Sequence, residues 1–239
     1  IIDSNIGNVG SVERAINHFG HQAIISNKHE DINSASHLIL PGVGSFDEGM
    51  KKLHDNQIVD ILIEAVSIKN TPVLGICLGM QAAVIEFSRN ICGLKGSNST
   101  EFDKTTDYPV IGLIEEWLDK KGSVELRDIN SNIGGTMRLG EQECVLTKDS
   151  NVHNAYKMDS VFERHRHRYE VNPEFKNELV EGGMDIVGTS LDGNLAEMIE
   201  IKKHPWFLGC QFHPEFTSNP RDGHPIFNDF IAKAIKIKR

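Results

Sequence analysis

This 239-residue chain is poor in several types of residue, and each scarcity excludes a class of protein. It has only four cysteines, which are far apart and form no C-x-x-C pair, so neither a disulfide framework nor a zinc site is expected. A reducing compartment, the cytoplasm, fits this cysteine usage. The most apolar stretch, residues 73–87, is interrupted by glycines and a glutamine and is too short to span a bilayer.

Positive charge is also scarce. The chain has 25 Lys and Arg against 34 Asp and Glu, a net charge of −9, so nucleic acid is a poor partner. Nothing resembles a nucleotide-binding P-loop, so no ATP-dependent step and no cofactor are predicted, and no good set of metal ligands is visible.

The pattern of apolar residues predicts the fold class. Short apolar runs alternate with amphipathic segments through the first 90 residues, which predicts a mostly parallel central sheet flanked by helices. The predicted strands there are 1–2, 22–26, 37–40 and 72–76, and the predicted helices are 8–19, 46–69 with a break near 55–56, and 79–89. The second half predicts additional antiparallel strands at 136–139, 143–146, 163–171, 186–190, 195–201 and 207–212, before a helix at 225–235. Because no linker is visible, residues 1–239 are predicted to form a single α/β domain.

A candidate nucleophile stands between strand 72–76 and helix 79–89. The segment Gly75-Ile-Cys77-Leu-Gly79 has the pattern G-x-C-x-G, which matches a nucleophile elbow, where a sharp strand-to-helix turn exposes the middle residue. The helix N-terminus favours a thiolate, and the backbone N–H of Leu78 can stabilise an oxyanion. A buried structural cysteine is the alternative, and this pattern alone leaves it open. Cys210 is a rival nucleophile, but it lies in an apolar strand without an elbow and is interpreted as core.

A candidate base lies near the end of the chain. His213 and Glu215 would face the same side of an extended segment, where the carboxylate can orient the imidazole and the imidazole can accept the thiol proton. A strand-end histidine beside a surface glutamate is the alternative for any single H-x-E pattern.

Together, the segments 75–81 and 211–215 resemble the class I glutamine amidotransferases. The resemblance implies that Cys77, His213 and Glu215 form a Cys-His-Glu triad that hydrolyses L-glutamine through a γ-glutamyl thioester. It also implies a partner, a synthase domain or subunit that accepts the ammonia. A catalytically idle regulatory module of the same fold, and a cysteine peptidase or other hydrolase, are the alternatives.

Two members of this family resemble different parts of the chain. From about residue 72 onward it is similar to the glutaminase domain of CTP synthase, in segments 83–90, 96–102, 134–140, 163–170 and 204–207. Residues 1 to about 71 are similar to the glutaminase subunit of imidazole glycerol phosphate synthase, in segments 3–12 and 40–46. The resemblance therefore suggests a chimera, natural or engineered. CTP synthesis is the preferred role, and the alternative is the histidine-pathway subunit.

The resemblance also implies which residues bind glutamine. Glu101 would pair with the α-amino group and Arg168 with the α-carboxylate, while Leu78 and Gln81 would make further substrate contacts. If the segment 164–168 is a strand, its arginines share one face. A solvated charged face, or a weak metal site at His165 and His167, is the alternative to substrate binding there. The turn that contains Gly42, Val43 and Gly44 follows the third strand and would face the elbow, so Val43 or Gly44 could give the second oxyanion donor.

Overall fold

The computed structural model describes residues 1–4, 7–18, 20–42, 46–113, 137–219 and 221–237. Within these residues, ten strands build two sheets: β1 (Leu38–Leu40), β2 (Val73–Ile76), β3 (Asn98–Ser99), β4 (Pro109–Leu113), β5 (Arg138–Leu146), β6 (Ser160–His167), β7 (Tyr169–Val171), β8 (Met184–Ser190), β9 (Ala196–Ile201) and β10 (Phe207–Cys210). The large sheet has the order β1-β2-β10-β9-β8-β5-β6, and the small sheet has the order β3-β4-β7.

Along the chain, helices precede, separate and follow these strands. They span Val9–Asn17, His29–Ser34, Phe46–Asp55, Val59–Ile63, Leu78–Asn90, Asn151–Tyr156, Lys176–Gly182, Pro214–Thr217 and Pro225–Ile237, with a π-helical turn at Glu64–Ile68 and a 3-10 turn at Pro173–Phe175. The helix Leu78–Asn90 follows β2 directly and is called the elbow helix below. Among the described helices, none combines the length and the apolar character needed to cross a membrane.

The strands on one side of the large sheet are parallel, and those on the other side are antiparallel. β1, β2 and β10 run parallel, whereas β10, β9, β8, β5 and β6 pair antiparallel in succession. Alternate residues of a strand face opposite sides, so Val73 packs into one buried cluster and Leu74 and Ile76 into the other. The sheet therefore has an apolar core on each face, and the predicted α/β class with extra antiparallel strands in the C-terminal half is confirmed.

Four predicted strands are shortened or merged in the structure. Predicted strands 1–2 and 22–26 reduce to one bridge between Ile2 and Ser26, because these segments share too few successive backbone hydrogen bonds to form a ladder. The separate strands 136–139 and 143–146 form one strand over the described part, since β5 pairs continuously with β6 from Arg138 to Val145.

The predicted strand 163–171 is instead two strands in different sheets. β6 pairs with β5 in the large sheet, and β7 pairs with β4 in the small sheet. Arg168 lies at the bend between them. A single extended run thus connects the two sheets, which the alternation of residues along the chain could not reveal.

Candidate functional site

The elbow around Cys77 is a strained turn held by close backbone packing. Cys77 has φ 53° and ψ −101°, a conformation that non-glycine residues rarely adopt, and it stands at the N-cap of the elbow helix. A Cβ at Gly79 would overlap the carbonyl oxygen of Leu40, and a Cβ at Gly75 would lie 2.8 Å from the carbonyl carbon of Gly79. The two glycines therefore let strand and helix approach, as the G-x-C-x-G pattern predicts.

Three neighbouring strands bring the candidate residues to one edge of the sheet. β2 lies between β1 and β10, all three are parallel, and Leu40 and Cys210 pair beside Gly75 and Ile76 respectively. The carboxyl ends of parallel strands meet at one edge, where α/β proteins bind their ligands. Cys77 leaves β2 at this edge, and the segments after β1 and β10 leave at the same place.

His213 and Glu215 are paired, although not in the predicted way. The Nδ1 atom of His213 lies 2.9 Å from Oε1 of Glu215, and both side chains are buried. Both residues belong to the start of the helix Pro214–Thr217, with His213 at its N-cap, so the predicted extended segment is wrong. The helical turn folds the carboxylate back onto the ring.

Burial, Cys77 and Glu215 together set the charge state of His213. Burial disfavours the protonated ring, but the interactions of its side chain with Cys77 and Glu215 outweigh burial and raise the pKa of His213 to about 9. Among the described residues, Nε2 has no hydrogen-bond partner, although Cys77 is one of the two groups that raise the pKa of this ring. Near neutral pH the ring therefore carries a proton beside the sulfur.

Cys210, the rival thiol, is unsuited to reaction. It is fully buried in β10, and burial raises its pKa well above the ordinary value, with Glu215 adding to the effect. Its thiol contacts the carbonyl oxygen of Phe212 at 3.6 Å. A protonated, inaccessible thiol is a poor nucleophile, which agrees with its interpretation as core.

Two residues of the candidate oxyanion site, Leu78 and Gly42, lie at the elbow. Leu78 is the first residue of the elbow helix, where a backbone N–H lacks an intrahelical acceptor. Gly42 packs so tightly on Leu78 that a Cβ at position 42 would overlap that side chain. Gly42 thus faces the elbow, whereas Val43 and Gly44 lie outside the described residues.

Glu101 and Arg168 lie at the same end of the small sheet. β3 is parallel to β4, and β7 is antiparallel to β4. Glu101 follows the end of β3, while Arg168 precedes the start of β7, so the topology puts both at the same end of the sheet. Both residues are half-buried.

The basic segment after Glu163 alternates as predicted. Arg164 and Arg166 are exposed, and His165 and His167 are buried. The two rings contact each other, with Nδ1 of His165 2.8 Å from Nε2 of His167. Arg168 departs from the common arginine face because it lies at the bend.

Two side-chain amides, those of Gln81 and Gln211, form a hydrogen-bonded chain that ends at the thiol of Cys77. Gln81, on the elbow helix, donates from Nε2 to the carbonyl oxygen of Tyr169 at 2.8 Å and to Oε1 of Gln211 at 3.3 Å. Gln211 in turn donates from Nε2 to Sγ of Cys77 at 3.6 Å. Gln211 lies in the segment 211–215 that carries the family resemblance, but no pattern in the sequence indicated a role for it.

A buried charge cluster, which the sequence did not predict, lies behind the site. It comprises Arg138, His165, His167, Glu170 and Glu197. Nη1 of Arg138 contacts both carboxyl groups, 3.0 Å from Oε1 of Glu170 and 2.6 Å from Oε1 of Glu197. Burial, with Glu197 nearby, raises the pKa of Glu170 to about 8 against the opposing effect of Arg138. Burial and Arg138 lower the pKa of His165 to about 3.

A cavity of about 430 Å³ lies away from this chemistry. Its walls include Ile1, Ile16, His37 and Phe230, between the start of the chain and the helix Pro225–Ile237. Cys77 and His213 are not among its lining residues. We therefore locate the candidate site by the thiol, the imidazole and the strand ends rather than by the volume of this cavity.

Comparison with known proteins agrees with this geometry. The family described as glutamine amidotransferase class-I matches residues 1–233. The glutaminase domain of Trypanosoma brucei CTP synthase, solved with bound acivicin, is similar with a TM-score of 0.75 and 27% identity, covering 95% of this chain and 88% of that one.

Two further solved structures share the fold at lower identity. A Thermoplasma acidophilum protein, described as a candidate GMP synthase subunit, has a TM-score of 0.63 and 17% identity, covering 99% of this chain and 94% of that one. A structure described as a glutamine amidotransferase has a TM-score of 0.57 and 14% identity, with coverage of 98% and 97%.

The fold and the elbow define an α/β protein with a cysteine presented between a strand and a helix. The chain belongs to the class I glutamine amidotransferases. Domains of this family generally hydrolyse glutamine and pass ammonia to a synthase partner, and this chain is structurally similar to the glutaminase domain of CTP synthase.

Proposed function

We propose that this chain is a single glutaminase domain that hydrolyses L-glutamine to glutamate and ammonia, with Cys77 as nucleophile. One observation carries the proposal. A strained cysteine at a helix start interacts with an imidazole whose other nitrogen lies 2.9 Å from Glu215. Nucleophile, base and orienting carboxylate are the three parts that nucleophilic amide hydrolysis needs.

The proposed reaction begins with attack of the Cys77 thiolate on the Cδ carbonyl of glutamine. The negative charge moves to the carbonyl oxygen, which the N–H of Leu78 and the segment 42–44 stabilise. His213 gives its proton to the nitrogen, the C–N bond breaks, and ammonia leaves. Water then attacks the γ-glutamyl thioester while His213 accepts a proton, and the C–S bond breaks to release glutamate and the thiolate.

Glu101 and Arg168 are proposed to select glutamine over other amides. Glu101 would bind the α-ammonium, and the planar guanidinium of Arg168 would bind the α-carboxylate. Their position at the same end of the small sheet supports this assignment. Both N–H bonds of the Gln81 amide are used within the protein, so its Oε1 is the atom left for a substrate contact.

The ammonia is proposed to serve CTP synthesis, in a synthase domain or subunit. The similarity to the Trypanosoma brucei glutaminase domain supports this role, since it covers 95% of the chain. The glutaminase subunit of imidazole glycerol phosphate synthase is the alternative for residues 1 to about 71. A chimera with its seam near residue 72 stays a hypothesis, and the family match runs across that position.

Ammonia release from L-glutamine tests the proposal. We would measure it for the chain alone, with the synthase domain of a CTP synthase, and with the cyclase subunit of an imidazole glycerol phosphate synthase. We expect release with at least one partner, and a loss of about three orders of magnitude or more in Cys77→Ser. If the folded chain releases no ammonia in any of the three assays, the idle regulatory module is the correct interpretation.

A further inference from the structure

The side chain of Gln211 makes a direct contact with the sulfur of Cys77. Gln211 follows the last residue of β10 and is completely buried. Its backbone is fixed, because its N–H donates to the carbonyl oxygen of Glu197 at 2.8 Å. The Nε2 atom lies 3.6 Å from Sγ of Cys77. An amide nitrogen can only donate, so this contact favours a negatively charged sulfur over a neutral one.

The orientation of this amide follows from a chain of hydrogen bonds that starts at the backbone. The carbonyl oxygen of Tyr169 can only accept, so the amide nitrogen of Gln81 must face it. The same nitrogen donates to Oε1 of Gln211. With its oxygen held by Gln81, Gln211 must turn its nitrogen toward Cys77.

The chain of amides connects two parts of the site. Tyr169 begins β7 and directly follows Arg168, whereas Gln81 lies one turn into the elbow helix after Cys77. A shift of the 168–169 segment would therefore change the position of the Gln211 amide at the sulfur. This is a physical connection between the segment proposed to bind the α-carboxylate and the nucleophile.

We propose that Gln211 is a further catalytic residue, which stabilises the Cys77 thiolate by donating a hydrogen bond to it, and that Gln81 holds Gln211 in the donating orientation. The inference rests on the proposed function, because it takes Cys77 as the nucleophile. The hydrogen bond acts when the thiolate attacks and again when the C–S bond of the thioester breaks and the electron pair returns to sulfur.

A purely structural role for Gln211 makes a different prediction. If Gln211 only fills space and satisfies Gln81, its replacement changes stability but leaves the dependence of Cys77 alkylation on pH unchanged. If it stabilises the thiolate, the alkylation curve moves to higher pH. The position of that curve therefore distinguishes the two roles.

The test is the rate of Cys77 alkylation by iodoacetamide between about pH 5 and 10, followed by peptide mass spectrometry to separate Cys77 from other thiols. Gln211→Met keeps an unbranched side chain and removes the donor. We expect its curve to move to higher pH by about one pH unit or more, the range for a hydrogen bond to a charged group. Ser88→Ala is the matched control, because it removes a buried hydroxyl at the far end of the elbow helix.

Two more variants keep the test decisive if Gln211→Met does not fold. Gln211→Glu preserves the shape and replaces the donor with an acceptor, so we expect a larger shift in the same direction. Gln81→Met removes only the support of Gln211, so we expect a smaller shift. If a folded variant at position 211 gives the wild-type curve, the inference is overturned. If neither of these variants folds, a wild-type curve for Gln81→Met overturns it.

Failure of the inference and failure of the proposed function are distinguishable. If the wild-type chain releases ammonia and loses this activity in Cys77→Ser, the proposed function stands whatever the curve of Gln211→Met. If Cys77→Ser retains the activity of the wild type, the proposed function itself is wrong.

Discussion

The Nδ1 atom of His213 lies 2.9 Å from Oε1 of Glu215, and both residues belong to the start of one short helix. This contact and the interaction with Cys77 together raise the pKa of His213 to about 9, although burial alone would lower it. The ring is thus protonated at neutral pH and loses its proton only near pH 9.

The first prediction concerns this titration. Cys77→Ala and Glu215→Gln each remove one of the interactions that favour the charged ring, so each lowers the pKa of His213. The double variant leaves burial dominant and lowers it below the ordinary value of 6.5. NMR titration of the ring measures this, with His204 as an internal control. An unchanged pKa in Cys77→Ala would mean that the thiol does not act on the ring.

Glutamine recognition gives a second prediction. Arg168→Met removes the guanidinium proposed to bind the α-carboxylate, so we expect the KM for glutamine to rise by about tenfold or more. Alkylation of Cys77 by iodoacetamide, which has no carboxylate, should change little. Arg166→Met is the control, because Arg166 is exposed on the preceding strand. Equal effects of the two variants on KM would contradict the role of Arg168.

Gly79→Ala tests the packing of the elbow, and Gly10→Ala, in the helix Val9–Asn17, is its control. In Gly79→Ala the new methyl group overlaps the Leu40 carbonyl oxygen, which β1 holds in place, so we expect a loss of about 2–4 kcal/mol in the free energy of unfolding. In Gly10→Ala the methyl group lies in a helix with its nearest contact at 3.7 Å, so we expect a gain of roughly 0.5–1 kcal/mol. Urea denaturation measures both, and a stable Gly79→Ala would show that the backbones are not in close contact.

The buried Glu170 predicts a pH dependence of stability. Burial, with Glu197 nearby, raises its pKa from 4.5 to about 8, so the folded chain keeps a proton that the unfolded chain releases. This contribution to stability is complete below about pH 4.5 and is lost as the pH rises toward 8. Glu170→Gln is neutral throughout, so its free energy of unfolding should fall less steeply, by up to about 1.4 kcal/mol per pH unit. Urea denaturation at several pH values measures this.

The control for Glu170→Gln is Glu141→Gln, because Glu141 is exposed on β5. We expect its stability curve to run parallel to that of the wild type. If the curve of Glu170→Gln is also parallel, the carboxyl group of Glu170 does not hold a proton above its ordinary range in the folded chain.

The elbow could be predicted from sequence because its information is local. Five consecutive residues, from Gly75 to Gly79, specify the strand, the turn and the helix. The pairing of His213 with Glu215 was also predicted, but from an extended segment, whereas Pro214 begins a helix. Side chains two residues apart can meet in either conformation. The contact between His213 and Glu215 was therefore predicted correctly, but the conformation that produces it was not.

The remaining features depend on pairings between distant strands. Glu101 and Arg168 lie at one end of the small sheet only because β3, β4 and β7, which come from separate parts of the chain, pair with one another. The bridge from Arg138 to Glu170 and Glu197 joins β5, β7 and β9. Periodicity in one segment indicates which face is buried, but it does not show which strand lies opposite.

The most direct test of the central claim is covalent trapping of the nucleophile. The chain would be treated with acivicin, the compound bound in the similar Trypanosoma brucei structure, and digested for peptide mass spectrometry. We expect one adduct, on Cys77, that excess glutamine suppresses, that Cys77→Ser abolishes and that His213→Ala slows. An adduct on Cys210 instead, or labelling of Cys77 that glutamine does not suppress, would contradict the account.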